Sequence, residues 1–248
     1  KVFYMAGAPI PPATAQSFVQ MGVTPQNVYG MTENSSHHYT WPDDPQATIC
    51  ESCGRGGKAY RLKIFDPKNP DIEMPQGEVG HITGKGACLM LGYFDNQKAT
   101  EESFNRDSWF LSGDLGLIDD DGCLRFVGRL KDIIIRGGKN IHPKKIEDLA
   151  IKHPNVEKAA AFPVPDDRLG ERVCLAVMSS GGEPEGQDVL GHLFDQGLSI
   201  YDMPEYYIVM KDFPLTASGK ILKRELTEWA KDGRLKPDPI RFAKPKEN

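Results

Sequence analysis

Residues 128–140, Gly-Arg-Leu-Lys-Asp-Ile-Ile-Ile-Arg-Gly-Gly-Lys-Asn, constrain this chain more than any other stretch of it. A short charged joint (Gly128 to Asp132) runs straight into three consecutive isoleucines, then into Arg136 and a glycine pair. Two long cations and an acid beside a glycine suit a joint that stays polar in more than one orientation. The isoleucine run reads as a short buried strand, and Gly137 and Gly138 let the backbone come close to something else. A chain built around such a joint folds as two parts. The boundary expected here divides residues 1–130 from residues 131–248.

The parts differ in texture. Before the joint, residues 2–5 read as a strand, Gly7-Ala8-Pro9 as a tight loop, and residues 11–21 as a helix with proline near its start and Gly22 after it. A strand over 27–29 leads into Gly-Met-Thr-Glu-Asn. From 58 to 83 short runs alternate with Pro and Gly turns, the pattern of an antiparallel barrel or meander. Residues 115–118 and 123–127 flank Asp119-Asp120-Asp121-Gly122, a hairpin signal. The three aspartates lack EF-hand spacing and a closing glutamate, so the turn is the better reading than calcium. After the joint the pattern is a compact α+β unit. Helices are expected from Pro143, over 187–196 and over 221–231, and strands over 156–164, 172–178 and 206–210. A loop at 181–186 and a frayed Pro/Lys-rich tail from Gly233 complete it. The fold class is α/β followed by α+β.

Composition excludes several classes. A net charge of −5 over 248 residues offers no broad basic footprint for nucleic acid, and no apolar run approaches a membrane span. Five dispersed cysteines fit a reducing cytosol better than a disulfide framework. Cys50 and Cys53 form a CxxC with no second pair, so a loop is the better reading than zinc. His37-His38-Tyr39 could line a pocket or sit on an exposed polar loop. The three tryptophans read as packing or surface anchors. The chain opens at Lys1 inside an apolar run, which suggests a cut within a larger protein.

Four other segments bear chemistry. Tyr29-Gly30-Met31-Thr32-Glu33 offers a hydroxyl and a carboxylate that could hold a hard cation. Gly7-Ala8-Pro9 is a side-chain-poor surface on which a planar ring could lie. Ser112-Gly113-Asp114 supplies a carboxylate whose two oxygens suit a vicinal diol. Residues 214–225 hold Lys220 after a glycine on a loop ahead of a helix, free to swing a point charge into a site. Each is common alone. Their order, with the joint between the third and fourth, is not.

That ordered set resembles the adenylate-forming superfamily of acyl-CoA synthetases, firefly-type luciferases and peptide-synthetase adenylation domains. The resemblance also rests on GEVGHITGKG and LGYFDN in residues 77–96 and is most like bacterial AMP-forming acyl-CoA synthetases. It implies the C-terminal portion of a large domain, including a small distorted antiparallel β-barrel, followed by a small mobile domain. Gly7, Ala8 and Pro9 would then contact adenine, within a nucleotide site that includes Tyr29 and Gly30. Thr32 would touch the α-phosphate and Glu33 would serve Mg²⁺. Asp114 would bind the ribose hydroxyls with Arg129. Lys131 would be the hinge about which the small domain rotates, Lys220 would enter for adenylation and leave afterwards, and Gly137 and Gly138 would line the channel for the pantetheine of coenzyme A.

The implied reaction converts ATP and a carboxylate into acyl-AMP and pyrophosphate, and the thiol of coenzyme A then displaces AMP to give a thioester. The superfamily's Ser/Thr/Gly-rich phosphate loop is not found in these residues, which leads to the expectation that this chain alone has little adenylating activity. A truncated, non-catalytic fragment binding nucleotide or a partner, and an adenylation domain loading a carrier protein, are the competing readings. Lys139 stands where relatives often have an acid, which bears on the rim that meets the coenzyme's phosphates. Residues 34–44 resemble bacterial ligases for fatty or alicyclic acids.

Overall fold

A computed structural model describes residues 1–7, 10–179, 181–217 and 219–243. The chain divides into two compact units, Lys1–Lys131 and Asp132–Asn248, and the division falls inside a single 3-10 turn, Leu130–Asp132.

The first unit begins with a β-α-β crossover. Strand β1 (Val2–Met5) pairs in parallel with β2 (Thr24–Met31), and helix α1 (Pro12–Gln20) joins them. Proline opens α1 where its missing N–H costs nothing. Ala15 of the helix packs with Met5 and Cys50. Strand β3 (Ser35–Tyr39) returns antiparallel to β2, helix α2 (Gln46–Glu51) follows, and β4 (Arg55–Gly56) closes this sheet in the order β1-β2-β3-β4.

A second sheet follows as a plain meander: β5 (Tyr60–Phe65), β6 (Gly80–Gly86), β7 (Phe110–Ile118) and β8 (Leu124–Arg129), all antiparallel, with helix α3 (Gln97–Glu102) between β6 and β7. The barrel anticipated for this segment does not close; the sheet is open. The free side of β8 is satisfied locally at Leu124, which accepts from the Cys53 N–H at 2.7 Å and donates its own N–H to Gly54 at 2.9 Å. With that edge occupied, β8 does not turn back onto β5. The Asp119–Gly122 segment is the β7–β8 turn that the sequence indicates: Asp119 accepts from the N–H groups of Asp121 and Cys123.

The second unit is one six-stranded sheet with helices on both faces. Its elements are β9 (Ile134–Arg136), β10 (Lys139–Ile141), α4 (Pro143–Ala150), β11 (Val156–Asp166), β12 (Gly170–Ser179), α5 (Gly186–Asp195), β13 (Tyr206–Val209), α6 (Lys223–Lys231) and β14 (Asp238–Pro239). Strands β11 and β12 are buried on both faces, so their side chains serve two cores. Ala159, Ala161, Val173, Leu175 and Val177 meet Ile146 of α4 and Leu190 and Leu193 of α5. Ala160, Phe162, Cys174 and Ala176 meet Leu226 of α6 and Phe213.

Other expectations change as well. The isoleucine run is not uniformly buried: strand alternation hides Ile134 completely and leaves Ile135 54% exposed. The residues after Gly233 are not all frayed, because β14 pairs with β13, and Ile240 and Phe242 pack on the core. Residues 35–39 form a strand rather than a loop, with His37 and His38 both buried.

Candidate active site

In the first unit, the Ser-Gly-Asp segment lies in mid-strand β7 and is held from several sides. Register places Asp114 opposite Arg129 at the end of β8, and the Arg129 Nε lies 3.2 Å from Asp114 Oδ1. The Tyr29 hydroxyl, from β2, donates to Asp114 Oδ2 at 2.9 Å. Ser112 Oγ accepts the Asp114 N–H at 3.0 Å and donates to the Ile82 carbonyl at 2.6 Å. His81 Nε2 accepts the Gly113 N–H at 2.8 Å, so the ring carries its proton on Nδ1; burial lowers its pKa. Burial pushes the Tyr29 phenol well above its ordinary pKa, and the adjacent Asp114 charge adds to the effect. Tyr29 is therefore a donor throughout the physiological range. The result is a buried carboxylate with the Tyr29 hydroxyl at one oxygen and the Arg129 guanidinium at the other, and carboxylate oxygens are suited to receive paired hydroxyls.

Thr32 and Glu33 occupy the turn between β2 and β3, Thr32 exposed and Glu33 half-buried. Asn34 fixes that turn: its Oδ1 accepts the Met31 N–H at 3.0 Å and its Nδ2 donates to the Tyr60 hydroxyl at 3.1 Å. Tyr93 donates its hydroxyl to Glu33 Oε1 at 3.0 Å. Gly30 makes a close approach, though to its own neighbour strand: a Cβ there would stand 1.9 Å from the Ser35 carbonyl oxygen. Beside this turn, His37 stacks on Tyr60 with ring centroids 4.0 Å apart and meets Tyr29 edge-on at 5.5 Å. The Nδ1 atoms of His37 and His38 are 2.7 Å apart, so one ring donates and the other accepts. Burial, reinforced by the neighbouring ring, lowers the His37 pKa to about 3; burial lowers that of His38 to about 4. Both are neutral. Gly7 is exposed after β1, while Ala8 and Pro9 lie outside the described residues.

Cys50 and Cys53 pack into two different cores, Cys50 on α2 and Cys53 beside Tyr29 and Leu124. Among the described residues no cluster of three or more His, Cys, Asp or Glu could hold a metal ion. No described helix is long and apolar enough to cross a membrane.

In the second unit, Lys220 sits at the end of a tight hairpin. The Thr216 N–H donates to the Lys220 carbonyl at 2.8 Å, and the Lys220 N–H returns to Thr216 Oγ1 at 3.0 Å. Leu215 and Ile221 pair across it. The side chain of Lys220 is exposed and has no ion-pair partner among the described residues. Three residues on, Lys223 behaves oppositely. Its Nζ lies 2.7 Å from Glu147 on α4 and 3.8 Å from Asp132. Burial raises the Glu147 pKa against the lowering pull of Lys223. Gly137 and Gly138 form the two-residue β9–β10 turn with φ of +57° and +85°. Consecutive left-handed residues at such a turn are what a glycine pair supplies. Lys139, just after them, lies 2.7 Å from Asp202 and over the ring of Tyr201. Lys131 is exposed in its 3-10 turn.

The family profile for AMP-binding enzymes matches residues 1–94, and the profile for the C-terminal domain of those enzymes matches residues 145–220. The chain belongs to the AMP-binding, adenylate-forming family. It is 32% identical over 225 residues to the medium-chain fatty-acid–CoA ligase of Escherichia coli K12, an alignment that covers 90% of this chain and 39% of that protein. ATP-bound MatB from Rhodopseudomonas palustris superposes with a TM-score of 0.87 at 30% identity, over 94% of this chain and 46% of that one. The o-succinylbenzoate–CoA synthetase MenE of Bacillus subtilis, in complex with its acyl-adenylate intermediate, gives 0.81 at 26% identity over 98% and 47%. The chain therefore spans about two-fifths to one-half of the length of those proteins.

Sequence reasoning singled out Asp114, Arg129 and Tyr29, which lie together. It missed Tyr93 and His81, because contacts spanning 60 and 32 residues leave no local signal. Ser112 was visible only as a member of its tripeptide.

Proposed function

We propose that this chain is the C-terminal part of an AMP-forming carboxylic acid–CoA ligase acting on aliphatic acids of medium chain length. The single observation that carries the reading is the pre-oriented Asp114 carboxylate, held by Tyr29 and Arg129 within a chain matched by both AMP-binding profiles. The medium-chain assignment rests on the name of the E. coli relative.

In this reading Asp114 accepts from both ribose hydroxyls, Gly7, Ala8 and Pro9 bed the adenine, and Tyr29 and Gly30 form the wall beside them. Thr32 donates to the α-phosphate. Lys220 stabilises the charge that grows on the phosphate as the acid's carboxylate attacks the α-phosphorus and pyrophosphate leaves, a task for which an exposed ammonium beside backbone tied to Thr216 is suited. A rotation about Lys131 then withdraws Lys220 and brings in the Gly137-Gly138 turn, whose bare edge passes the pantetheine arm. The thiol of coenzyme A displaces AMP, forming the thioester.

Glu33 fits a role in holding Mg²⁺. It offers one half-buried carboxylate on a braced turn, and the absence of a larger acidic cluster among the described residues means nucleotide phosphates would complete the set, as magnesium sites usually require. The bound ion would neutralise charge on those phosphates. The dispersed cysteines support a reducing compartment such as the cytosol.

The test is AMP release by the gene product carrying this chain, assayed with coenzyme A and straight-chain acids of graded length. Highest kcat/KM at medium lengths is expected; no AMP release with any acid would refute the assignment.

A further inference from the structure

We infer that Tyr93 is a positioning residue for the Glu33 carboxylate, an inference that rests on the cation-holding role proposed for Glu33. Tyr93 lies in the loop 87–96 between β6 and α3. Its neighbours Leu91 and Phe94 project fully into solvent, whereas the Tyr93 hydroxyl is turned onto Glu33 Oε1. The loop is stiff at that point: the Tyr93 N–H donates to Thr100 Oγ1 at 2.9 Å, and the Tyr93 carbonyl accepts from the Asn96 N–H at 3.3 Å. The same loop also grips the Glu33 backbone, through the Met90 N–H to the Glu33 carbonyl at 2.7 Å.

A glutamate on a turn has several side-chain rotamers, and a cation must select one of them at an entropic cost. A fixed phenol donor makes that selection beforehand. It takes one lone pair of Oε1 and leaves Oε2 and the second lone pair for the cation. If Tyr93 served only to staple the loop to the turn, the Met90 bond would already do so, and removing the hydroxyl would not alter cation affinity.

The experiment is Tyr93→Phe, alone and combined with Glu33→Gln, in the gene product that carries this chain. Mn²⁺ binding in the presence of a non-hydrolysable ATP analogue is read by electron paramagnetic resonance, and the Mg²⁺ dependence of AMP release is measured alongside. Loss of one hydrogen bond to a partly exposed carboxylate should weaken Mn²⁺ binding about three- to ten-fold. The Mg²⁺ concentration for half-maximal rate should rise in parallel, with kcat at saturating Mg²⁺ and the KM for acid preserved. In the Glu33→Gln background Tyr93→Phe should add nothing. Unchanged Mn²⁺ affinity in Tyr93→Phe, or an equal loss in both backgrounds, overturns the positioning role while leaving Glu33 in place. Intact Mn²⁺ binding in Glu33→Gln alone overturns both this role and the assignment of Glu33.

Discussion

Asp114 concentrates the residue-scale argument. Asp114 is 4% exposed, yet its carboxylate accepts from the Tyr29 hydroxyl and faces the Arg129 guanidinium, and a buried charge needs such compensation. Asp114→Ala should raise the KM for ATP at least ~10-fold and erase the preference for ATP over 2′-deoxy-ATP, which steady-state kinetics with both nucleotides would measure; a preference that survives would exclude Asp114 as the diol acceptor. The His37–His38 pair makes a second prediction. Their folded pKa values, about 3 and about 4, lie below the unfolded value of 6.5, so below pH 6.5 the unfolded chain takes up protons that the folded chain refuses. Stability is flat above pH 6.5 and falls as pH drops toward 4, by at most about 2 kcal/mol per histidine at pH 5. Thermal unfolding should therefore show a smaller loss of Tm between pH 7 and pH 5 in His38→Asn than in the parent, and equal losses would contradict it. Asp114 was legible as part of a tripeptide. The histidines were not, since sequence leaves open whether a His-His dipeptide faces water or core.

At the scale of elements, polarity and periodicity identify most helices and strands, and the errors have causes. Strand β3 is hidden because its buried faces carry imidazole rather than aliphatic groups. Strand β14 is hidden because proline-rich composition imitates a frayed end, while its pairing with β13 depends on a neighbour about thirty residues earlier. The Gly137-Gly138 pair has a local cause: two successive left-handed residues in a two-residue hairpin. The hydrophobic pattern identified α6, yet the ion group at its start is tertiary. Glu147 is buried, accepts the Ala161 N–H at 2.8 Å, and depends on Lys223 for its counter-charge. Lys223→Met should destabilise the second unit by about 3 kcal/mol, because an uncompensated buried charge is left behind, and Lys223→Met with Glu147→Leu should recover much of that loss. Urea unfolding would decide it; a double variant no more stable than Lys223→Met would argue against the pair.

Across the whole molecule, the chain passes from one compact unit to the other after Lys131, and each carries half of the proposed chemistry. The first holds Asp114, the acceptor proposed for the ribose, between Tyr29 and Arg129. The second presents Lys220 on a hairpin whose backbone is closed by reciprocal Thr216 bonds while its ammonium stays in solvent. The contrast with Lys223 is informative, because two lysines three residues apart have opposite surroundings: one is paired with Glu147 and Asp132, and the other, exposed, has the phosphate role proposed for it. The central claim is that Lys220 serves adenylation and not thioester formation. The most direct measurement separates the half-reactions in Lys220→Ala of the gene product that carries this chain. Acyl-AMP formation should fall about 100-fold or more, while thioester formation from supplied acyl-AMP and coenzyme A stays within a few-fold of the parent. Equal loss in both half-reactions would contradict the account.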